Sequence, residues 1–273
     1  MKVTVLGSGS GGNAVLLEAG STRVLVDAGF SGRQIEARLA QVGVEPPALT
    51  AVVVTHEHGD HTRGVGVFAR RHGTPVYITD VTRHRCAGLF RGGELLETYR
   101  AGYPFSIGDV DVLPFLTVHD AADPVAVTVV DGKTGCRVGI ATDLGRATTG
   151  IRHALEGCHV LILEANHDEE LLRTSAYPWS VKDRIASSHG HLSNRAAAQL
   201  AVELHHPQMA AVILAHLSQE ANVPELALDV VGRALRKHGF QGQLLAAHQD
   251  IPLGPLDVVG LRSAMAPCQL ELL

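Results

Sequence analysis

The apolar positions of this chain come in short, closely spaced bursts. Val3 to Leu6, Val15 to Leu17 and Val24 to Val26 are β-branched or aliphatic runs, the last two split by the turn signal Ala19-Gly20-Ser21-Thr22. That is the pattern of strand, turn and strand. Similar runs occupy Ala51 to Val54, Val76 to Ile78, Val110 to Leu113, Val125 to Val130, Val138 to Ala141, Val160 to Leu163 and Val212 to Leu214. Four stretches carry helical punctuation instead. Ser31 to Gln34 spells a capping box ahead of Ile35, Leu39 and Val42, with a stop at Gly43. Thr62 to His72 stops at Gly73, and Ser193 can cap Asn194 to His205, whose apolar stripe is Ala197, Leu200, Ala201 and Leu204. Pro224 opens a last helix that ends in Arg236, Lys237 and His238 before Gly239. Strands and helices alternate in two halves with no linker between them. Residues 1–273 are therefore expected to form one domain, two packed sheets with helices outside.

The loop after the first run raises a different possibility. Gly7, Gly9 and Gly12 satisfy the literal pattern G-x-G-x-x-G, and Asp27 follows fifteen residues after Gly12. That motif works only where a helix begins at the glycines and turns its N-terminus to a pyrophosphate. A second strand follows here, so the glycines read as a tight turn and not as a dinucleotide site.

Composition narrows the class. The chain is 45% hydrophobic and 19% charged, a globular balance, and no run approaches the roughly 18 apolar residues that a membrane span needs. The N-terminus passes from one lysine straight into a strand, so nothing directs the protein out of the cytoplasm, the expected location. Cys86, Cys136, Cys158 and Cys268 show neither C-x-x-C nor a secreted-domain spacing, which favours reduced thiols over bridges. The net charge of −5 argues against bulk adsorption to nucleic acid or anionic membrane. Yet seven arginines between positions 63 and 100 face three acids, either a solvated face or a phosphate-binding flank.

Candidate chemistry begins where the run Ala51 to Val54 ends. It leads directly into His56-Glu57-His58-Gly59-Asp60-His61, four ligand-capable groups within six residues. Imidazoles two apart can share one metal, while Asp60 and His61, turning into the next helix, can face a second. His119, Asp143 and His216 each emerge from the end of a further apolar run and complete the ligand set for two metals. The donors are nitrogen and oxygen only, which suits zinc or manganese and leaves iron open. His72, His84, His153, His159, His205, His206, His238 and His248 have no metal-spaced partner and read as surface or packing residues.

In these residues the chain resembles the metallo-β-lactamase-fold hydrolases, whose signature T-H-x-H-x-D-H is matched by Thr55 to His61. The resemblance spans essentially the whole chain and implies an α+β fold, an αββα four-layer sandwich of two mixed sheets with helices outside. It further implies that His56, His58 and His119 hold one divalent metal ion and Asp60, His61 and His216 the other. Asp143 would bridge the two together with a water or hydroxide. Two cations roughly 3.5 to 4 Å apart lower the pKa of such a water enough for attack without a protein nucleophile. His58, where the redox di-iron branch has glutamate, points to hydrolysis.

The second half is similar to the nuclease and phosphodiesterase side of that superfamily. Leu163-Glu164-Ala165, Asn166-His167-Asp168, Ser188 to Ser193 and Leu214 to Ser218 carry this likeness, which is greatest to the bacterial YycJ/WalJ-type group of 5′-to-3′ DNA exonucleases. By this resemblance Asp60 and Asp143 belong to the catalytic set, and His191 serves as general acid or phosphate contact, oriented by Glu164. The alternative for His191 is a structural histidine in a capping loop. His189, Ser193 and Asn194 are candidate substrate contacts, while His167 is as readily a packing residue. Trp179 could stack a base or anchor a lid. The expected partner is a nucleic acid, DNA before RNA, because the chain lacks the long arm that transfer-RNA processing enzymes use; a homodimer stays open. Two other readings remain: a thioesterase- or lactonase-type carbonyl hydrolase with the same metals, and a non-catalytic protein stabilised by metal.

Overall fold

The computed structural model describes residues 1–265; Cys268, read above as a reduced thiol, lies outside them. The first half builds β1 (Lys2–Gly7), β2 (Ala14–Ala19), β3 (Thr22–Val26), β4 (Ala51–Val53), β5 (Val76–Thr79) and β6 (Leu96–Tyr99). The second builds β7 (Phe105–Ile107), β8 (Val110–Leu116), β9 (Val125–Asp131), β10 (Arg137–Ala141), β11 (Val160–Glu164), β12 (Ala211–Ala215) and β13 (Gln243–Ala246), after which β14 (Leu253–Asp257) returns to the first sheet. The sheet orders are β14-β1-β2-β3-β4-β5-β6 and β13-β12-β11-β10-β9-β8-β7. Both follow one plan: an antiparallel meander up to β3 or β10, then parallel pairing with β4 and β5, or with β11 and β12.

Burial assigns the layers. Val24 and Val26 face the second sheet, where Val127, Val129, Ile140 and Ile162 meet them. Between them Leu25 points outward, against Ile35 and Leu39 of α1 (Gly32–Gln41) and Phe68 of α3 (Val65–His72). On the opposite outer face Leu161, Leu163 and Leu214 pack against α5 (Thr149–Leu155), α8 (Asn194–Leu204) and α9 (Pro224–Lys237). The central strands are thus covered on both sides, which is why they read as unbroken apolar runs. Each large side chain so buried contributes on the order of 2 kcal/mol. The arrangement is helix, sheet, sheet, helix, as expected.

The helix expected over Thr62 to His72 is divided. α2 (Gly59–Thr62) ends and α3 begins anew at Val65, because Gly64 donates its N–H to Ala28 O at 2.9 Å and presses against the Phe30 carbonyl, where a Cβ would come within 2.2 Å. The break lets Asp60 and His61 turn toward the sheet ends. Ser31 and Gln34 do close the capping box of α1. Short elements without sequence periodicity complete the chain: α4 (Asp80–Arg85), α6 (Glu169–Thr174), α7 (Trp179–Ala186) and α10 (Val258–Met265). Among the described residues no helix is long and apolar enough to cross a membrane.

Candidate metal centre

The parallel strands deliver their C-terminal ends to one edge of the sandwich, where ligands gather in folds of this kind. Asp27 follows β3, His56 to His61 follow β4, Asp143 follows β10, Glu164 ends β11 and His216 follows β12. Asp27, Asp143 and His216 adopt φ of 63°, 60° and 55°, the left-handed values found at no other non-glycine residue described. Such a conformation costs roughly 1–2 kcal/mol per residue, and here it is concentrated where three side chains must leave a strand end toward one point.

The hydrogen bonds fix which ring nitrogen each histidine turns inward. His61 Nδ1 lies 2.8 Å from Asp27 Oδ2. Since a carboxylate only accepts, Nδ1 carries a proton, which leaves Nε2 as the nitrogen that can turn a lone pair to a cation. His119 Nδ1 likewise donates to Gly190 O at 3.0 Å, and His216 Nδ1 faces Glu164 Oε1 at 3.2 Å. The Thr55 hydroxyl donates to Asp27, so His56 Nδ1, 3.0 Å away, must donate to it. These four rings therefore present Nε2 to the centre. His58 presents Nδ1 instead, 3.3 Å from His119 Nε2. Fixing the tautomer through the remote nitrogen is the arrangement that prepares imidazole to bind a metal.

Two atoms test whether a cation fits. His56 Nε2 and Asp143 Oδ2 are buried without a hydrogen-bond partner, a state that is costly unless something binds them. The donors of His56, His58 and His119 lie within 4.8 Å of one another, as do those of Asp60, His61 and His216. Asp143 stands between the two groups, with Oδ2 3.1 Å from His61 Nε2 and Oδ1 3.6 Å from His119 Nε2 and 3.7 Å from His216 Nε2. Both groups could hold a divalent metal, with Asp143 in reach of each.

The electrostatics agree. Burial holds His56 and His119 below the ordinary imidazole range. Burial also opposes charge on His61 and His216, but the nearby carboxylates outweigh it: Asp143 and Asp27 raise His61, and Asp143, Asp60 and Glu164 push His216 up to about 10. Those protons balance the carboxylates where a cation would otherwise do so.

Beside this cluster, His191 Nδ1 donates to Glu164 Oε1 at 2.7 Å. Glu164 is fully buried, and its second oxygen accepts from Leu144 N at 2.8 Å and Leu192 N at 3.1 Å. Burial works against the ionised carboxyl, but His191 and then His216 hold it down to about 2. One carboxylate thus orients both His191 and His216. His191 is half-buried and lines a cleft of about 320 Å³ with His58, Asp60, His119 and Asp143.

Three other candidates do not line this cleft. Ser193 caps α8 through Ala196 N and donates to Glu169, and Asn194 is buried in a pair of hydrogen bonds with Asn222. Both side chains take partners within the fold, and neither lines the cleft. His189 is exposed, 3.2 Å from the Ser188 hydroxyl. Within the arginine-rich segment, Arg70 pairs with Glu94 and Arg71 with Glu36. The arginine in the cleft is Arg184, and Asp120 and Ser10 join it there. Asp27 and Asn13 went unassigned in the sequence because their roles are tertiary. Asn13 Nδ2 lies 3.1 Å from His61 Nε2 and 3.3 Å from Asp60 Oδ2, which gives the glycine turn its place beside the centre. An aspartate directly after a strand was the available signal for Asp27.

Comparison with known proteins identifies the family. The family model described as a β-lactamase superfamily domain matches residues 22–217. The chain is 33% identical to an exodeoxyribonuclease YycJ of Bacillus anthracis over 93% of its own length and 97% of that protein. It is 36% identical to an exodeoxyribonuclease WalJ of Streptococcus pneumoniae over 83% and 85%. The metallo-β-lactamase fold protein YhfI of Bacillus subtilis superposes with a TM-score of 0.71 at 20% identity, covering 92% of this chain and 98% of that one. The strand-end cluster and the two-sheet sandwich that carries it are those of the metallo-β-lactamase superfamily, to whose YycJ/WalJ group this chain belongs.

Proposed function

We propose that the protein is a binuclear metal-dependent phosphodiesterase that degrades DNA as a 5′-to-3′ exonuclease. The observation that carries this reading is one cleft shared by two ligand groups, with Asp143 between them and the His191–Glu164 pair on its wall. In this reading His56, His58 and His119 hold one divalent cation, Asp60, His61 and His216 the second, and Asp143 both. When bound, the cations supply Lewis-acid activation of water and neutralise the phosphate.

The protein's own part is positioning and proton supply. Asp27, Gly190 O, Thr55 and Glu164 hold the four Nε2 lone pairs inward, so little reorganisation accompanies substrate binding. His191 is raised above the ordinary imidazole range, because Glu164 overcomes the burial that would lower it. That shift favours the imidazolium, the form that would donate to the departing oxygen of the cleaved ester. The relatives named exodeoxyribonucleases support DNA as substrate; zinc and manganese both suit the donor set.

The test is turnover of bis(p-nitrophenyl) phosphate and of a small thioester by metal-reconstituted protein, with Asp143→Ala and His191→Ala alongside. Hydrolysis of the phosphodiester, lost in Asp143→Ala, is expected, with His191→Ala slowing DNA cleavage far more than it slows this ester, whose nitrophenolate departs without a proton. Consumption of the thioester with the phosphodiester untouched would place the protein among carbonyl hydrolases.

A further inference from the structure

Helix α7 links the cleft to an aromatic side chain that does nothing for the fold. Its inner face, Val181 and Ile185, packs with Leu172, Tyr177 and Ala221 in a small satellite core. Trp179, at the first position of the helix, lies outside that core and is 73% exposed, more than any other large apolar residue described. This excludes a core-anchor role. Lys182 Nζ sits over the indole ring, 5.5 Å from its centroid, and is fixed by donating to Arg173 O at 2.8 Å. The rest of the ring is open to solvent.

At the other end of the helix, Arg184 projects into the metal cleft. Its side chain is 67% exposed, and its ion pair is loose: Nε lies 3.9 Å from Asp120 Oδ2. Arg184 stands five positions beyond Trp179, about 7.5 Å of axial rise, comparable to one nucleotide step of an unstacked strand. The helix carries Lys182 and Arg184 against one acid, Asp183.

We infer that α7 is a nucleotide subsite, in which Trp179 stacks a base of the substrate strand one step from the cleft while Arg184 contacts the phosphate between them. The inference rests on the phosphodiesterase reading above. An aromatic face accepts any base, so the subsite gives grip along the strand without sequence preference. A guanidinium fork matches a phosphate better than the loose single contact to Asp120 that it makes now. An exposed tryptophan flanked by cations also disfavours a purely apolar partner.

Trp179 is the only tryptophan of the chain, so its fluorescence reports the contact directly. The experiment titrates metal-loaded protein with hydrolysis-resistant phosphorothioate oligothymidylates of increasing length. Saturable quenching by dinucleotides and longer strands, and little by the mononucleotide, is expected. Trp179→Ala should raise KM on single-stranded DNA roughly tenfold and lower the preference for DNA over bis(p-nitrophenyl) phosphate similarly, with Trp179→Phe recovering most of the loss. Arg184→Ala should raise KM on both substrates. DNA cleavage by the wild type with no quenching, and with the KM of Trp179→Ala within about twofold, overturns the subsite and leaves the nuclease reading standing. Failure to bind or cut any nucleic acid, with a thioester consumed, removes both.

Discussion

His61 Nδ1 lies 2.8 Å from Asp27 Oδ2, between side chains almost wholly withdrawn from water. The same carboxylate accepts the N–H and the hydroxyl of Thr55, and through Thr55 it also sets the tautomer of His56. One aspartate in a left-handed conformation thus orients a histidine from each ligand group.

Asp27→Asn keeps the volume but places an amide N–H against groups that already donate. Metal affinity should fall 10- to 100-fold, read by competition with a chromophoric chelator. An unchanged affinity would show that Asp27 serves folding alone.

Glu164→Gln confronts the same difficulty with four donors: His191 Nδ1, His216 Nδ1, Leu144 N and Leu192 N. The variant should lose about 10²- to 10⁴-fold in kcat on a phosphodiester while its circular dichroism matches the wild type. Activity within a factor of about three would detach His191 from catalysis.

Two glycines separate backbone constraint from mere proximity to the centre. A Cβ on Gly29 would fall 1.6 Å from Asp60 O and 2.7 Å from Asn13 N, whereas one on Gly59 would meet nothing within 4 Å. Gly29→Ala should cost at least about 3 kcal/mol, the range of severe overpacking, and Gly59→Ala should melt within a few degrees of the wild type. Thermal melts of the two side by side decide it; equal melting temperatures would contradict the packing described.

The described thiols should be unreactive. Burial, helped by Glu57, pushes Cys86 up to about 11, and burial also raises Cys158, while Cys136 is wholly enclosed. At pH 8 a thiol with such a value is about one part in a thousand thiolate. Alkylation of native protein followed by peptide mapping should leave all three unmodified until denaturant is added. Rapid labelling of Cys136 or Cys158 would mean that the second sheet opens readily.

Some of this was legible in the sequence and some was not, for physical reasons. The cluster from His56 to His61 is contiguous, so its density alone is a signal; His119, Asp143 and His216 were visible because each interrupts an apolar run. The central strands announced themselves by two-sided burial. β6, β7, β13 and β14 are short or edge elements with one exposed face, and α4, α6 and α7 are too brief for a helical period to stand out. Asp27, Asn13, Asp120 and Arg184 escaped because their partners are distant in sequence or because a single charged residue carries no pattern. Ser193 and Asn194 were named from the sequence as substrate contacts, but the partners they take, Ala196 N and Glu169 for the first and Asn222 for the second, are set by the turn into α8 and by tertiary packing.

The measurement that bears most directly on the central claim is digestion of DNA labelled at its 5′ or 3′ end by metal-reconstituted protein, with Asp143→Ala as control. The account predicts release of the 5′ label as the first product, progressive shortening of 3′-labelled strands, and neither in the variant or after chelation of the metal. DNA left intact in zinc and in manganese, or shortened equally by Asp143→Ala, would contradict it.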